Sequence, residues 1–219
     1  MIIAIDGPAG SGKSTVARQV ADRLGFQYLD TGAMYRAVAY RALEEGVSLD
    51  DEPALARIAG SEPIAFGESG PGTVSIAGRD VTHEIRTAQT DRAVSPVSAW
   101  PAVRRALTDQ QRGYGRSHDI VMEGRDIGTV VFPDADLKVF LTASNEARAR
   151  RRVLQNEQRG VGSTDFETVL ADIIRRDEYD SSRAASPLKP ADDAVHVDSS
   201  DMTMQEVIDK ICELARERM

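Results

Sequence analysis

Residues Gly7-Pro8-Ala9-Gly10-Ser11-Gly12-Lys13-Ser14 satisfy the pattern G-x-x-x-x-G-K-[ST]. Each residue type in it has a physical use. Phosphate oxygens need several hydrogen-bond donors at short range, and main-chain N–H groups supply them only where the chain curls tightly. Gly7, Gly10 and Gly12 permit the curl and the close approach. Lys13 sets a cation against the outer phosphates, and the Ser14 hydroxyl is a hard oxygen suited to a magnesium shell. A helix opening at Lys13 points its positive end at the anion. The chemistry this spacing supports is the grip of a polyphosphate.

Further segments could serve a second ligand. Asp30-Thr31-Gly32-Ala33-Met34-Tyr35-Arg36 brings a cation, Arg36, beside a ring and hydroxyl, Tyr35. Glu123-Gly124-Arg125-Asp126 continues through Ile127-Gly128-Thr129-Val130-Val131-Phe132-Pro133. Arg125 is able to hold a phosphate, and Asp126 to read donors on a base or sugar. Taken alone, these segments also fit an ordinary strand–helix connection and a structural Arg–Asp pair. Arg148, Arg151 and Arg152 fall on one helical face, where like charges repel. Either acids such as Asp172 or Asp177 neutralise them, or a polyphosphate does. Arg176, Asp180 and Arg183 form a polar stripe beside an apolar one. None of the four lysines (13, 138, 189, 210) stands in an Asn-Lys-x-Asp base-reading pattern, which disfavours a GTPase switch. A small-molecule kinase leads. A kinase for shikimate or UMP and a nucleotide-dependent binding module stay open.

These residues need a scaffold. Ile2 to Ile5 reads as a buried strand, followed by an amphipathic helix over Lys13 to Leu24 with Val16, Val20 and Leu24 on one face. Phe26–Leu29, Asp119–Met122, Leu137–Leu141 and Ala194–Val197 read as four more strands. Helices are expected over 33–45 and 101–111, from Ser144, after a cap at Ser163 or Thr164, and over 207–214. Phe166, Val169, Leu170, Ile173 and Ile174 make an apolar stripe. Strands alternating with helices imply a parallel, doubly wound α/β sheet of five strands flanked by helices. Residues 61–82 differ, with short apolar runs between Gly and Pro, and read as a small β insertion.

The chain has 219 residues, 41% hydrophobic and 28% charged, which fits a folded globular protein. A net charge of −8 and a pI near 5.0 disfavour nucleic acid as a partner. The single cysteine, Cys212, forms no internal disulfide, and His83, His118 and His196 have no metal-ligand spacing. Trp100 is expected to pack at a helix start. No run of apolar residues reaches membrane-spanning length, and the N-terminus has no basic, apolar leader, so a cytoplasmic location is expected.

Together the segments 5–14, 29–36, 84–87, 123–135 and 176–183 resemble bacterial cytidylate kinases, a family of nucleoside monophosphate kinases. The resemblance runs along nearly the whole chain. It implies one P-loop kinase domain over 1–219, with a monophosphate-binding insertion at about 36–100 and a short lid at about 148–165. The implied reaction is transfer of the ATP γ-phosphoryl group to CMP or dCMP, giving the diphosphate and ADP, with Mg²⁺ as cofactor and Ser14 on the metal. ATP would lie on residues Gly7, Pro8, Ala9, Gly10, Ser11, Gly12, Lys13, Ser14 and Thr15. Arg36, Arg125 and Arg183 would hold the acceptor phosphate. Thr31, Ser95, Arg104 and Asp126 would surround the cytosine, Arg176 and Asp180 would meet the ribose, and Tyr35 would also contact CMP. Lys13, Arg125 and the lid arginines Arg148, Arg151 and Arg152 would serve the transfer. Asp30 and Glu123 would orient metal-bound water, Gln155–Ser163 would form the mobile part of the lid, and a monomer is expected.

Overall fold

The computed structural model describes every residue except Pro71, Ser117 and Val161, and of Arg159 the backbone alone. Val161, inside the expected 155–163 lid segment, thus lies outside the described residues. In chain order the elements begin β1 (Ile2–Asp6), α1 (Lys13–Leu24), β2 (Gln27–Asp30), α2 (Thr31–Glu45) and α3 (Glu52–Ser61). They continue with β3 (Ile64–Phe66), β4 (Val74–Ile76), β5 (Arg79–Asp80), α4 (Ala88–Ala99) and α5 (Pro101–Gly115). The last are β6 (Ile120–Gly124), β7 (Leu137–Thr142), α6 (Asn145–Arg159), α7 (Phe166–Ser182), β8 (Val195–Asp198) and α8 (Met204–Arg216). Two compact units result: Met1–Asp30 with Gly115–Met219, and Thr31–Tyr114.

The first unit is built on an all-parallel sheet in the order β2-β6-β1-β7-β8. Its inner strands carry Ile, Val, Leu and Met on both faces, as a sheet covered on both sides requires. Val16 and Val20 of α1 meet Val207, Ile208 and Ile211 of α8 over Ile3, Ile5, Val121 and Val139. A capping box of Thr203 and Glu206 starts α8. A second, small core joins α6 to α7 through Ala149, Val169 and Ile173.

Register decides which residues meet at the carboxyl edge. Asp6 stands opposite Gly124 on one side and Phe140 on the other, and Asp30 stands opposite Glu123. Ligands of open parallel sheets bind outside this edge. The chain leaves β1 through Gly7 at φ +150°, where a Cβ would lie 2.0 Å from the Leu141 carbonyl oxygen. Only glycine passes there.

The second unit holds α2 to α5 and a three-stranded antiparallel sheet, β3-β4-β5. Its core includes Met34, Val38, Leu55, Ile58, Ile64, Ile76, Val97 and Leu107. Gln110 ties sheet to helix, donating to the Ala59 carbonyl at 2.8 Å and accepting from the Ile64 amide at 3.2 Å. Trp100 packs at the start of α5, and its indole N–H reaches the Leu49 carbonyl at 2.9 Å.

The five expected strands and the β insertion are present. Differences from the sequence reading have local causes. Helix α2 starts at Thr31, two residues early, running straight on from β2. Helix α3 was not expected, although Asp51 caps it and Pro53 sits in its first turn. Helix α4 was hidden by Pro96 in its interior. The cap of α7 is Asp165, which accepts from the Thr168 amide at 2.8 Å, not Ser163 or Thr164. Ile174 is exposed, so the apolar stripe of α7 is narrower than its spacing suggested. Residues Ile127–Val131 form a single π turn in place of plain loop.

Gly7→Ala is expected to destabilise the protein by about 3 kcal/mol or more, since strained φ and a backbone clash act together. Denaturant unfolding monitored by circular dichroism measures it.

Candidate active site

The phosphate loop is braced from outside. Lys13 Nζ donates to the Pro8 carbonyl at 2.7 Å, Arg148 Nη1 to the Ala9 carbonyl at 2.9 Å, and Arg151 Nη1 to the Ser11 carbonyl at 3.3 Å. Three cations thus take three outward carbonyls. The amides of Ala9, Gly10, Ser11 and Gly12 donate to no protein acceptor among the described residues. Helix α1 opens on Gly12 without a side-chain cap. Uncommitted N–H groups and a bare helix N-terminus form an anion cradle.

Behind the cradle lie buried carboxylates. Asp6 accepts from the amides of Ile127 and Gly128 at 2.9 and 2.7 Å, which fixes the π turn after Arg125 and Asp126. Burial pushes the Asp6 carboxyl up to about 6 against those two N–H groups. Glu123 accepts from the Tyr28 hydroxyl at 2.7 Å and from Ser14. Burial, then the charge of Asp30, raise the Glu123 carboxyl above the usual range. Lys13 is only 5% exposed. Burial and then the Arg125 charge hold its ammonium well below the ordinary lysine range, with Glu123 and Asp6 pulling the other way.

A second cluster surrounds Asp180 of α7, itself buried. Arg125 Nε meets its Oδ2 at 3.1 Å, and Arg183 Nη2 lies 3.8 Å from Oδ1. Arg176 adds its charge. Burial alone would raise the Asp180 carboxyl; Arg125, Arg183 and Arg176 outweigh it and hold it below the usual carboxylate range. One carboxylate thus gathers three guanidinium groups, the kind of group that grips an anion bidentately. Asp126, also buried, starts the π turn beside it.

In the second unit, the Arg104 guanidinium lies 5.1 Å over the Tyr35 ring and donates to the Ser98 carbonyl at 3.0 Å. Arg36 Nε meets Asp91 at 3.2 Å. Thr31 is buried at the head of α2, and Ser95 is half-buried on α4.

On α6 the arginines repel less than their spacing suggested. Arg148 is 3% exposed, pairs with Asp177 at 2.6 Å, and also donates to the Ala143 carbonyl and to Asn145. Asp172, the other acid expected to neutralise them, pairs with Arg175 instead. Arg151 also donates to Ser199, and Arg152 donates to Gln155 at 3.0 Å.

Comparison with known proteins decides the family. The family model described as cytidylate kinase matches residues 3–217. A protein named cytidylate kinase from Saccharophagus degradans is 49% identical over 219 residues, all of this chain and 98% of that one. One of the same name from Rhodococcus jostii is 50% identical over 220 residues, covering 100% and 96%. The chain belongs to the cytidylate kinase family. Among solved structures, an uncharacterized protein from Eubacterium ventriosum superposes with a TM-score of 0.51 at 13% identity, over 99% of this chain and 98% of that one. That likeness bears on the fold alone, a five-stranded parallel sheet flanked by helices.

Asp6 and Ser199 were not singled out from the sequence. Only the register of Asp6 against β6 reveals that it holds the π turn, and no spacing rule predicts Ser199 under Arg151. The residues fit the magnesium ion that a kinase of this family implies. The Ser14 hydroxyl, Glu123 and Asp30 form a hard oxygen set, and the repulsion raising Glu123 is one that a cation relieves. Among the described residues no group of three or more His, Cys, Asp or Glu is arranged to hold a metal. No described helix is long and apolar enough to cross a membrane.

Asp180→Asn is expected to lower stability at pH 7 by about 2–4 kcal/mol, because it leaves buried guanidinium groups short of a countercharge. A depressed folded pKa contributes stability that is fully present above the unfolded value of 3.8 and lost as pH falls through the folded one. The gap in urea midpoint between the two proteins should hold from pH 7 to about 4 and narrow below.

Proposed function

We propose that this protein transfers the γ-phosphoryl group of ATP to CMP and dCMP, giving CDP or dCDP and ADP. One observation supports it above the others: Lys13, at the heart of the phosphate cradle, feels the charges of both Arg125 and Arg176 from the cluster on Asp180. A polyphosphate grip and a second anion grip adjoin, as direct transfer between two nucleotides requires.

ATP lies on residues 7–15, its phosphates on the loop amides and Lys13. The acceptor phosphate is drawn by Arg125, Arg183 and Arg36, which fix its oxygen in line with the γ-phosphoryl. Arg176 and Asp180 meet the ribose; Thr31, Ser95, Arg104 and Asp126 meet the cytosine, and Tyr35 also contacts CMP. A monophosphate oxygen is already anionic near pH 7, so no side chain need act as general base. Arg151 and Arg152, in a lid over about 148–165, neutralise charge that develops during transfer and exclude water. The monophosphate-binding region spans about 36–100. Ser14 holds Mg²⁺, with Glu123 and Asp30 orienting its water. When bound, the metal supplies charge neutralisation on the phosphates. The enzyme works as a cytoplasmic monomer on small molecules, without nucleic acid or membrane.

A coupled ADP-release assay across CMP, dCMP, UMP, AMP and shikimate tests the assignment. CMP and dCMP are expected to lead; UMP ahead of CMP in kcat/KM would reverse it, and no ADP with any acceptor would favour a nucleotide-binding module. Lys13→Ala should keep the fold and lose about 10²–10³-fold or more in kcat. Chelation by EDTA should abolish turnover and added Mg²⁺ restore it.

A further inference from the structure

Arg148 is expected from the family resemblance to reach the transferring phosphoryl group, yet its guanidinium is committed elsewhere. It donates to the Ala9 carbonyl at 2.9 Å, the Ala143 carbonyl at 3.1 Å and Asn145, and pairs with Asp177 at 2.6 Å. It is 3% exposed. The first turn of α6 also presses on the loop: a Cβ at Gly10 would lie 3.3 Å from Arg148 Cβ and 3.4 Å from its carbonyl oxygen. Ala149, Val169 and Ile173, with Val153, Phe166 and Leu170 packed against them, join α6 to α7, and the Arg148–Asp177 ion pair links the same two helices. Asp177 sits on α7 between Arg176 and Asp180, and so belongs to the helix that carries the second anion cluster.

We propose that Arg148 and Asp177 are positioning residues that act as one brace, holding the Ala9 carbonyl side of the phosphate loop against α7. Nucleotide affinity at the loop then depends on an aspartate that touches no nucleotide. The brace fixes the loop before ATP arrives, so its loss weakens binding more than it slows transfer once ATP is bound. The inference rests on the nucleotide-binding role of the loop. Wild-type ADP binding therefore serves as the reference, and its absence would count against that role rather than against the brace.

The test is ADP binding by titration calorimetry, with no acceptor and no turnover, on wild type, Arg148→Lys, Asp177→Asn, Asp177→Glu and the double variant Arg148→Lys/Asp177→Asn. Circular dichroism checks folding. Arg148→Lys and Asp177→Asn are each expected to weaken ADP by about tenfold or more, the worth of a charge-assisted contact. The double variant should bind no more weakly than the weaker single one, because the two act as a unit. Asp177→Glu, which keeps the charge, should bind better than Asp177→Asn. In steady state the KM for ATP rises while kcat at saturating ATP stays within about threefold. Wild-type ADP affinity in Asp177→Asn would overturn the proposal. So would an Arg148→Lys variant that loses kcat about a hundredfold with ADP affinity intact, the mark of direct contact with the phosphoryl group. If Arg148→Lys does not fold, the two Asp177 variants decide, since they leave Arg148 in place. If Asp177→Asn also fails to fold, Asp177→Glu decides: ADP affinity below wild type with kcat within about threefold supports the brace, and wild-type ADP affinity with kcat about a hundredfold lower overturns it.

Discussion

A short stretch of main chain must hold its amides toward an anion when no anion is there. Uncommitted N–H groups gathered on one side are unfavourable, and the peptide units would relax by turning. The carbonyls of Pro8, Ala9 and Ser11 prevent this, because each is taken from outside by a cationic side chain. Those cations come from three places: Lys13 from the loop's own helix, Arg148 and Arg151 from α6. The loop is therefore a tertiary structure as much as a local motif. Its glycines follow from the same crowding, since Gly7 passes the Leu141 carbonyl and Gly10 passes the backbone of Arg148.

The electrostatics of the first unit follow from that arrangement. The chain as a whole carries −8, but its buried charges are concentrated near the carboxyl edge of the sheet and are mixed in sign. Lys13 is pushed toward neutrality by burial and Arg125, while Asp6 and Glu123 are pushed toward protonation by burial and their acidic neighbours. Each of these groups is less content in the ligand-free protein than in water. Groups of opposite charge brought to this edge would relieve that penalty. The Asp180 cluster is the counterpart. Its carboxylate is held ionised by the guanidinium groups around it.

Much of this was legible before any coordinates. The phosphate loop, the five buried strands and the β insertion each have a local signature: glycines at fixed spacing, apolar runs, and Gly-Pro punctuation. Arg125, Arg176, Asp180 and Arg183 were marked by the family resemblance, and the spacing of the last three already put them on one stripe. What was not legible depended on register or on partners distant in sequence. Asp6 acts on residues more than a hundred positions away, through the pairing of β1 with β6. The spacing of the α6 arginines showed that they needed anions but could not choose between acids and a polyphosphate. The fold chose Asp177 for Arg148, and gave Asp172 to Arg175 on its own helix. Helix α4 escaped because Pro96 argues against helix locally, and the packing of α2 on α4 overrides it.

The basic residues number 23 arginines and 4 lysines. Codon usage accounts for much of such a bias, but not at the site. An ammonium is a point charge with three donors, and it reaches acceptors only around one nitrogen. Arg148 serves four partners on three sides of a planar fork: a loop carbonyl, a carbonyl of its own helix start, an amide oxygen and a carboxylate. Arg151 spans the Ser11 carbonyl and both oxygens of Ser199 in the same way. Only the fork ties separate segments together while leaving the loop's inner face clear. The one lysine of the cradle, Lys13, has a different task. It stands on the loop's own helix and binds a single carbonyl closely. Guanidinium groups thus tie the loop to α6, and the ammonium closes it from within.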